Sequence, residues 1–564
     1  MDGIMLFALA RELQEKILGT RVGKIYQHPS GEVILTLRRP GEDYQLLLCG
    51  GPHFPRVYLT TRQRENPKTP PAFCMLLRKH LEGARLLSIR QPGVDRVLEL
   101  VFEPGWSGKG QVQPALILEI MGRHSNLILV DELTNSILGA QRTITGTMSR
   151  YRQVAPGLPY LPPPAHGKLD LTRAPKEEIE SLAASMAGPT DREFITALAG
   201  IGPFTAKELA HRSQEIGPLE CLLELAQRLR ESSFTPVVLG REGDPLGVCA
   251  INATYLPQDE VRVFASPSEA LEAYYEARLT AVELEEIRRQ LLTHVNTHLA
   301  KVKSRLVKQS AALVKAGRAE EMRLKGELLM SHLHLVAKGA ETVSLPNYYA
   351  PNELVEVDLD PRLSPVQNAE AYFRRYRKAK KGEQIIRRQL DRTQVEMKVL
   401  ESLAGEIVHE QSLEGLEAIK AEMETEGYWP VQGAAPRRPA NKPRHFYSQD
   451  GYLILVGRNR RQNDQLTNRM ANPDDIWMHA KGIPGSHVII RTEGKEVPPT
   501  TLMEGAMLAA YYSPARTSSN VPVDYVQRRH VRKPVGAPPG MVIYDNHKTL
   551  FVTPREELLP KEQK

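Results

Sequence analysis

The sequence predicts a multidomain α+β protein, with a strand-rich N-terminal domain, a helix-hairpin-helix domain, a long antiparallel coiled coil and a small α+β C-terminal domain. Three observations carry this. Short apolar or alternating runs separated by turn residues crowd the first quarter of the chain, as strands require. Two long stripes of apolar residues at helical spacing face each other across a proline-broken stretch between about Ser266 and Glu426. And 564 residues exceed what a single core can fill, so several units are expected.

Taken in order, residues 2–18 read as a helix capped by Asp2. Strand-like runs follow at 32–39, 44–50, 56–61, 85–91, 96–103, 115–122 and 126–132, interrupted by a helix near Pro71 to Leu81. A proline-rich segment, 155–175, reads as an extended linker or a strap crossing between domains. The expected divisions are an N-terminal domain over 1–170, the hairpin domain with connecting strands over 171–265, the arm over 266–430 and the last domain over 444–556.

In the arm, Leu284, Ile287, Leu291, Val295, Leu299, Val302, Leu306, Leu313 and Ala316 form one stripe, and Leu390, Thr393, Met397, Leu400, Ala404 and Ile407 keep heptad spacing. Prolines 346, 351, 361 and 365 forbid a long helix between them, so the stripes fold back on each other. About 60–70 residues at 1.5 Å each give an arm of about 90–100 Å. The segment PVQGAAPRRPANKP (430–443) closes the arm as a second linker. Strands HFYSQDGYLILVG, IWMHAK, SHVIIRT, VPVDYVQRRHVRKP and GMVIYDNHKTLFVTP follow, with a short helix near Asn463 to Met470 and another over PPTTLMEGAMLAAYYS.

A 41% hydrophobic and 25% charged composition is that of an ordinary globular chain. Neither a signal peptide nor an apolar run of about 20 residues is present in the sequence, so a cytoplasmic location without membrane partners is expected. Cys49, Cys74, Cys221 and Cys249 are far apart and contain no CxxC, which points to buried, reduced, inert thiols. The net charge is +7, and from Arg437 onward 20 basic residues face 12 acidic ones. That favours polyanionic partners, although a solvated face also explains such an excess.

Residues 191–213 carry the pattern h-x-G-h-G-x-x-x-A-x-x-h in Leu198, Gly200, Ile201, Gly202, Ala206 and Leu209. Two glycines permit a tight turn whose N–H groups can meet a phosphate, and the same hairpin also serves as a structural brace. Asp95 and Arg96, at a strand entrance, pair an acceptor with a planar donor, a combination suited to base edges or to fixing a loop. The EIMGRHSN turn (119–126) interrupts two apolar strands with Arg123, His124, Ser125 and Asn126. On the returning arm helix, Arg374, Arg375, Arg377, Lys378, Lys380 and Lys381 interleave with Tyr372, Phe373 and Tyr376. This cluster suits RNA by stacking and charge, and equally suits aromatics turned inward with cations in water. His479 and His487 flank GIPGS, with Asp474 and Asp475 upstream. The spacing does not supply a zinc-type ligand set, so hydrogen bonding or phosphate contact is expected of the histidines, with no metal and no cofactor. Phosphate-loop and nucleophile-elbow motifs are absent from the sequence.

With DRVLELVF, EIMGRHSN, the GIG hairpin, the coiled coil, NPDDIWMHAKGIPGSHVIIR and VRKPVGAPPGMVIY in this order, the chain resembles the NFACT family of bacterial RqcH type, relatives of eukaryotic NEMF. The resemblance implies an N-terminal domain akin to that of formamidopyrimidine DNA glycosylases, then the hairpin, coiled-coil and RNA-binding parts. It implies a ribosome quality-control factor, not an enzyme. Such a factor binds large subunits that still hold peptidyl-tRNA, recruits tRNA, and supports C-terminal alanine tailing that marks nascent chains for degradation, the ribosome making the peptide bonds. Implied partners are the large subunit and its rRNA, alanine tRNA and a small S4-like RNA-binding factor.

Carried over, Asp95 and Arg96 engage tRNA, and Glu119, Ile120, Met121 and Arg123, with Ser125 and Asn126, lie at its anticodon arm. Gly200 and Gly202 form a phosphate-binding hairpin, and the arm cluster binds the ribosome. Asp475, Trp477, His479, Lys481, Gly485, Ser486 and His487 form the RNA-binding motif of the last domain. Two alternatives remain: a surface adhesin, since some relatives are labelled fibronectin-binding, and a glycosylase-like DNA-repair protein. The chain begins Met1 Asp2 Gly3, without the proline and glutamate pair that glycosylases use, and has no four-cysteine finger.

Overall fold

The computed structural model describes the chain except at residues 63–68, 108–109, 150–151, 165–166, 187, 242, 351–352, 431–442, 535–536, 538, 556–557, 561 and 564. Most of the expected linker 430–443 therefore lies outside the described residues. Two structural units divide at Val282 and Glu283.

In the first unit, α1 (Gly3–Ile17) starts where Asp2 Oδ1 accepts from the Met5 N–H at 2.8 Å, the expected cap. Its apolar face, Ile4 to Ile17, is buried in the unit's main core. Strands β1 (Arg21–Gln27), β2 (Glu32–Arg39), β3 (Glu42–Cys49) and β4 (Arg56–Thr60) make an antiparallel sheet in chain order. After α2 (Ala72–Leu81) come β5 (Leu86–Arg90), β6 (Val97–Phe102), the small hairpin β7 (Gly105–Ser107) and β8 (Gly110–Val112), then β9 (Pro114–Glu119), β10 (Asn126–Asp131) and β11 (Ser136–Ala140). The second sheet runs β11-β10-β9-β6-β5. The sequence reading lacks β1 and β11. A register shift between Val22 and Ile25 breaks the alternation that would have marked β1, and Gly139 and Ala140 give β11 little apolar signal.

Alternate residues of β6, β9 and β10 face a second, smaller core: Val97, Ile117, Ile128 and Val130, covered by Val154 and Tyr160. The proline-rich segment is thus a strap at its start. Ile137 N–H donates to Leu158 O, and Gly157 N–H to Ile137 O, both at 2.8 Å. Helices α3 (Lys176–Ala184), α4 (Asp191–Ala197), α5 (Pro203–Ile216) and α6 (Pro218–Glu231) follow. Strands β12 (Val237–Arg241), β13 (Asp244–Cys249) and β14 (Val261–Val263) form a three-stranded sheet, β13-β12-β14. Helix α7 (Pro267–Ala316) begins in this unit, with Ala270, Leu271 and Tyr275 in its core.

In the second unit, α7 continues, then α8 (Ala319–Ser331), the hairpin β15 (Thr342–Pro346) and β16 (Leu354–Asp358), α9 (Pro365–His409) and α10 (Leu413–Thr425). Ser364 and Gln367 form a capping box at the start of α9, where Pro365 occupies the first turn. The helices run antiparallel: Arg288 donates to Glu410 O, Arg305 pairs with Glu396, and Glu320 on α8 pairs with Lys380. The outgoing helix is interrupted at Gly317, between α7 of 50 residues and α8 of 13, and α9 returns over 45 residues. The base is three-helical: Leu291, Val295, Leu299 and Val302 pack with Leu400, Leu403 and Ile407 and with Leu416, Ile419 and Met423 of α10.

Within the proline-broken stretch, β15 and β16 pair and sit on their own small core of Leu328, Leu329, Leu345, Val357, Ala369 and Tyr372.

The C-terminal part opens with β17 (Arg444–Tyr447) and β18 (Leu453–Val456), a hairpin where one strand was expected. Gly451, at φ +81°, makes its turn. α11 (Arg460–Gln465) and a π turn (Leu466–Met470) precede β19 (Ile476–Ala480), β20 (Val488–Ile490), α12 (Pro499–Tyr511), β21 (Val521–Gln527), β22 (Val531–Arg532), β23 (Ile543–Tyr544), β24 (Lys548–Val552) and β25 (Glu562–Gln563). The main sheet runs β24-β21-β19-β20-β18-β17-β25. One face packs on Ala506, Ala509 and Ala510 of α12. The other buries Trp477, Ile489 and Val526 against Leu466 and Val531. Among the described residues, no helix is long and apolar enough to cross a membrane.

Candidate nucleic-acid interface

Two of the polar motifs meet at one end of the five-stranded sheet. β6 starts one residue after Arg96, β9 ends at Glu119, and Val97 pairs with Glu119. One step beyond, the Ile120 N–H donates to Arg96 O at 2.8 Å. Asp95 and Arg96 are exposed. Their loop is held from behind by Gln91, whose amide donates to Asp95 O (2.6 Å) and Gly3 O (3.0 Å).

The EIMGRHSN turn separates into frame and surface. Glu119, Ile120, Ser125 and Asn126 are buried, and Met121 is half-buried on the outer core. Ser125 Oγ accepts from Met121 N–H and donates to Gly122 O, both at 2.7 Å. Asn126 Oδ1 accepts from the Leu127 and Arg142 N–H groups, and its Nδ2 donates to Arg142 O. The turn's exposed residues are Gly122, Arg123 and His124, with Arg123 Nε donating to His124 Nε2 at 3.0 Å. Arg142 reaches across to Arg123 O at 2.8 Å. Of the motif, only the tip presents exposed side chains.

Asp95 and Arg96 also line a cleft of about 610 Å³ shared with Asp2, Gly200, Phe204 and Tyr274. The hairpin closes one side of it. Gly200, at φ +74°, approaches so near that a Cβ there would lie 2.8 Å from Val94 Cβ. Gly3 N–H donates to Gly200 O at 2.8 Å. The outward N–H expected at Gly202 is already taken, because it donates to Asp2 Oδ2 (3.2 Å), which also accepts from Thr205 Oγ1 (2.6 Å). A carboxylate thus occupies the position a phosphate would take, so the described hairpin braces the N-terminal segment and the Val94–Arg96 loop. Leu198, Ile201, Ala206 and Leu209 are core residues.

In the C-terminal part, Asp475, Trp477 and His487 are buried and His479 is half-buried. Asp475 accepts from Asn472 N–H and Thr492 N–H and pairs with Arg491 at 2.8 Å, a structural role. Trp477 stacks on His479 with centroids 5.8 Å apart, and the His479 and His487 rings meet edge to face at 5.4 Å. Burial lowers His479 to about 4; burial and then the neighbouring His479 hold His487 well below its ordinary value. Both rings are neutral, and His487 Nδ1 lies 2.7 Å from Thr467 Oγ1. Gly485 and Ser486 line a cavity of about 40 Å³ with Glu406, Arg444 and Tyr512. Lys481 is exposed, its Nζ 3.3 Å from Asp524 Oδ1.

Asp524 lies outside every expected motif. It sits opposite His479 in the sheet, buried, and accepts from Thr549 Oγ1 (2.6 Å) and Tyr544 OH (2.9 Å). Burial pushes its pKa up, but the bonds from Thr549, Tyr544 and Lys481 outweigh it and hold the carboxyl below its ordinary range. A lone aspartate within the apolar strand VPVDYV was the available signal.

On α9, Tyr372 is buried and Phe373 packs beside Gly326, so these aromatics face inward. Arg374, Arg375, Arg377, Lys378 and Lys381 are exposed, while Lys380 pairs with Glu320 and Glu383. Among the described residues, no group of three or more His, Cys, Asp or Glu could hold a metal ion. The four cysteines are buried.

A family model described as NFACT N-terminal and middle domains matches residues 2–442, and one described as NFACT protein RNA binding domain matches 442–546. A Bacillus subtilis protein described as "Rqc2 homolog RqcH" is 36% identical, with 100% of this chain and 99% of that protein covered. A Streptococcus suis protein of the same description is 34% identical, with 99% and 98% covered. The solved N-terminal part of a fibronectin/fibrinogen-binding protein from Streptococcus suis is 31% identical at a TM-score of 0.44, covering 49% of this chain and 99% of that one.

Proposed function

Because the chain belongs to the NFACT family, we propose that it is a ribosome quality-control factor that recruits tRNA to large ribosomal subunits still holding peptidyl-tRNA. It binds the obstructed subunit, selects alanyl-tRNA, and supports alanine tailing without mRNA, while the ribosome forms each peptide bond. In this reading it works in the cytoplasm and is a binding factor without chemistry of its own. It divides into the four parts expected from the sequence, and a small S4-like RNA-binding protein is a partner.

The observation that carries the proposal is the hydrogen-bonded junction of the two polar motifs, Arg96 O to Ile120 N–H, which makes Asp95, Arg96 and Arg123 parts of one surface. Full-length similarity to proteins described as Rqc2 homologs supports the same reading. A carboxylate and two guanidinium groups on the first unit give the mixed surface expected for RNA, where charge gives affinity and polar edges give selection.

The test is recovery of the chain from cells with sequencing of its bound RNA, together with mass spectrometry of stalled nascent chains. Enriched alanine tRNA and C-terminal alanine tails are expected, and both should be lost in the Asp95→Ala/Arg96→Ala variant. Tails undiminished in that variant refute the site, and absence of tRNA from the recovered RNA refutes the function.

A further inference from the structure

Glu119 is the most deeply enclosed charged side chain of the EIMGRHSN motif, with 0% of its side chain exposed. Its carboxylate meets three donors, two from Arg152 just before the strap and one from Tyr160 within it. Arg152 Nη1 lies 2.7 Å from Oε1, Arg152 Nη2 bonds Oε2, and the Tyr160 hydroxyl donates to Oε1 at 3.0 Å. The guanidinium is itself enclosed, at 10% exposure, and Nη1 also donates to Leu161 O at 2.7 Å. A two-pronged guanidinium–carboxylate pair with a third hydrogen bond is fully satisfied, which is what allows a carboxylate to persist in an apolar setting.

The place of this pair matters as much as its burial. Glu119 is the last residue of β9 and sits between Val97 of β6 and Asn126 of β10. Its position therefore fixes both exits from the sheet end: the Arg96 carbonyl bonded to Ile120, and the turn that carries Arg123. Val154, just before the strap, and Tyr160 within it belong to the core directly beneath.

We infer that Glu119, Arg152 and Tyr160 are positioning residues, a buried latch by which the strap sets the spacing between the Arg96 and Arg123 surfaces, with neither Glu119 nor Arg152 touching RNA. The inference rests on the proposed tRNA reading of that surface, and its own failure can be told apart from failure of that reading. Removing the Glu119 charge while keeping its shape loosens the sheet end, so free energy is spent on bringing Arg96 and Arg123 into registry with two points on one RNA. No phosphate contact is lost. The affinity therefore falls while its salt dependence stays the same.

The first measurement uses the unaltered full chain: arginine modification by phenylglyoxal, read by mass spectrometry with and without tRNA. Arg152 should be unreactive in both states, and Arg123 reactive alone and protected by tRNA. Arg152 modified in the free chain overturns the inference. Arg123 unprotected while Arg152 stays inert overturns the tRNA surface and leaves the latch standing. The second measurement compares Glu119→Gln, Tyr160→Phe and their combination, each confirmed as folded by its melting transition. Glu119→Gln should weaken tRNA binding roughly 2- to 30-fold with the slope of log K against log salt unchanged, the double variant being no weaker. Unchanged affinity in folded Glu119→Gln, a changed slope, or additive losses would each overturn it. Tyr160→Phe, which removes one hydroxyl, supplies the same readout should Glu119→Gln fail to fold.

Discussion

The Ile120 N–H and the Arg96 carbonyl, 2.8 Å apart, join two motifs that the chain separates by more than twenty residues. Neither motif can move outward without breaking a strand-end hydrogen bond, so Arg96 and the turn tip keep a fixed offset. Effects of substitution at the two motifs should consequently be coupled.

Gly3→Ala should be among the most damaging single changes in the first unit. A Cβ there would fall 1.9 Å from Val94 O and 2.6 Å from Gly200 Cα, and both neighbours are backbone. A loss of about 2–4 kcal/mol is expected, measured by urea unfolding. In folded molecules, faster hydrogen exchange should appear at the Val94–Arg96 loop.

Asp2→Ala removes three hydrogen bonds at once, those from Met5 N–H, Gly202 N–H and Thr205 Oγ1. The expected cost is about 2–3 kcal/mol, combining a lost helix cap with unpaired donors. Asp2→Asn should recover part of it, because the amide oxygen still caps α1. A melt in which Asp2→Ala equals the parent would contradict the bracing role of the hairpin.

Arg123→Ala is expected to weaken tRNA binding and to lower the steepness of its salt dependence by about one ion, with no change in melting temperature, since the side chain is exposed. Fluorescence titrations at several salt concentrations measure both.

The C-terminal part should lose stability in mild acid. His479 and His487 are held below the ordinary value of 6.5, His479 at about 4. The unfolded chain therefore binds protons that the folded one refuses. Stability is fully present above about pH 6.5 and declines as pH falls toward 4, with His479 alone contributing a loss of about 2 kcal/mol at pH 5. Hydrogen exchange over residues 476–490 should show it, and His479→Gln should flatten the dependence.

Glu406 behaves oppositely. Burial raises it to about 8, although Arg460, 3.9 Å away, pulls it down. Glu422 holds the same guanidinium at 2.9 Å. The folded state keeps a proton that the unfolded one releases, so this site costs progressively more stability from about pH 4.5 up to 8. Glu406→Gln should equal or exceed the parent at pH 7.5 by roughly 1–3 kcal/mol, with the difference shrinking toward pH 5. Urea unfolding at both values checks this.

Local signals were legible in the chain; signals that depend on distant pairing were not. The α1 cap, the seven apolar strands and the two arm stripes follow from spacing and turn residues, and the structure has them at nearly those positions. Strand β1 was hidden by its bulge, and the turn inside HFYSQDGYLILVG by apolar residues on both sides. The third helix at the arm base was hidden because α10 shows its partners only in space. The same limit applies at the site. Asp95 and Arg96 were visible as a polar break, and so was the EIMGRHSN turn. That Glu119 lies inside, paired with a residue 33 positions away, is set by strap packing, which periodicity does not report. Gly202 was visible as a turn residue, but its N–H partner is 200 residues earlier.

The arm of the second unit carries an apolar lock at each end: the three-helix packing near Leu400 and the hairpin-bearing core near Leu328. Between them, residues 306–316 of α7 and 380–392 of α9 are only half-buried or exposed. A pair of helices clamped at both extremities cannot slide past one another by a heptad, so sliding is closed to it as a means of carrying a signal. The middle span is the part of the arm least tied by apolar packing, so any bending at set length is expected there.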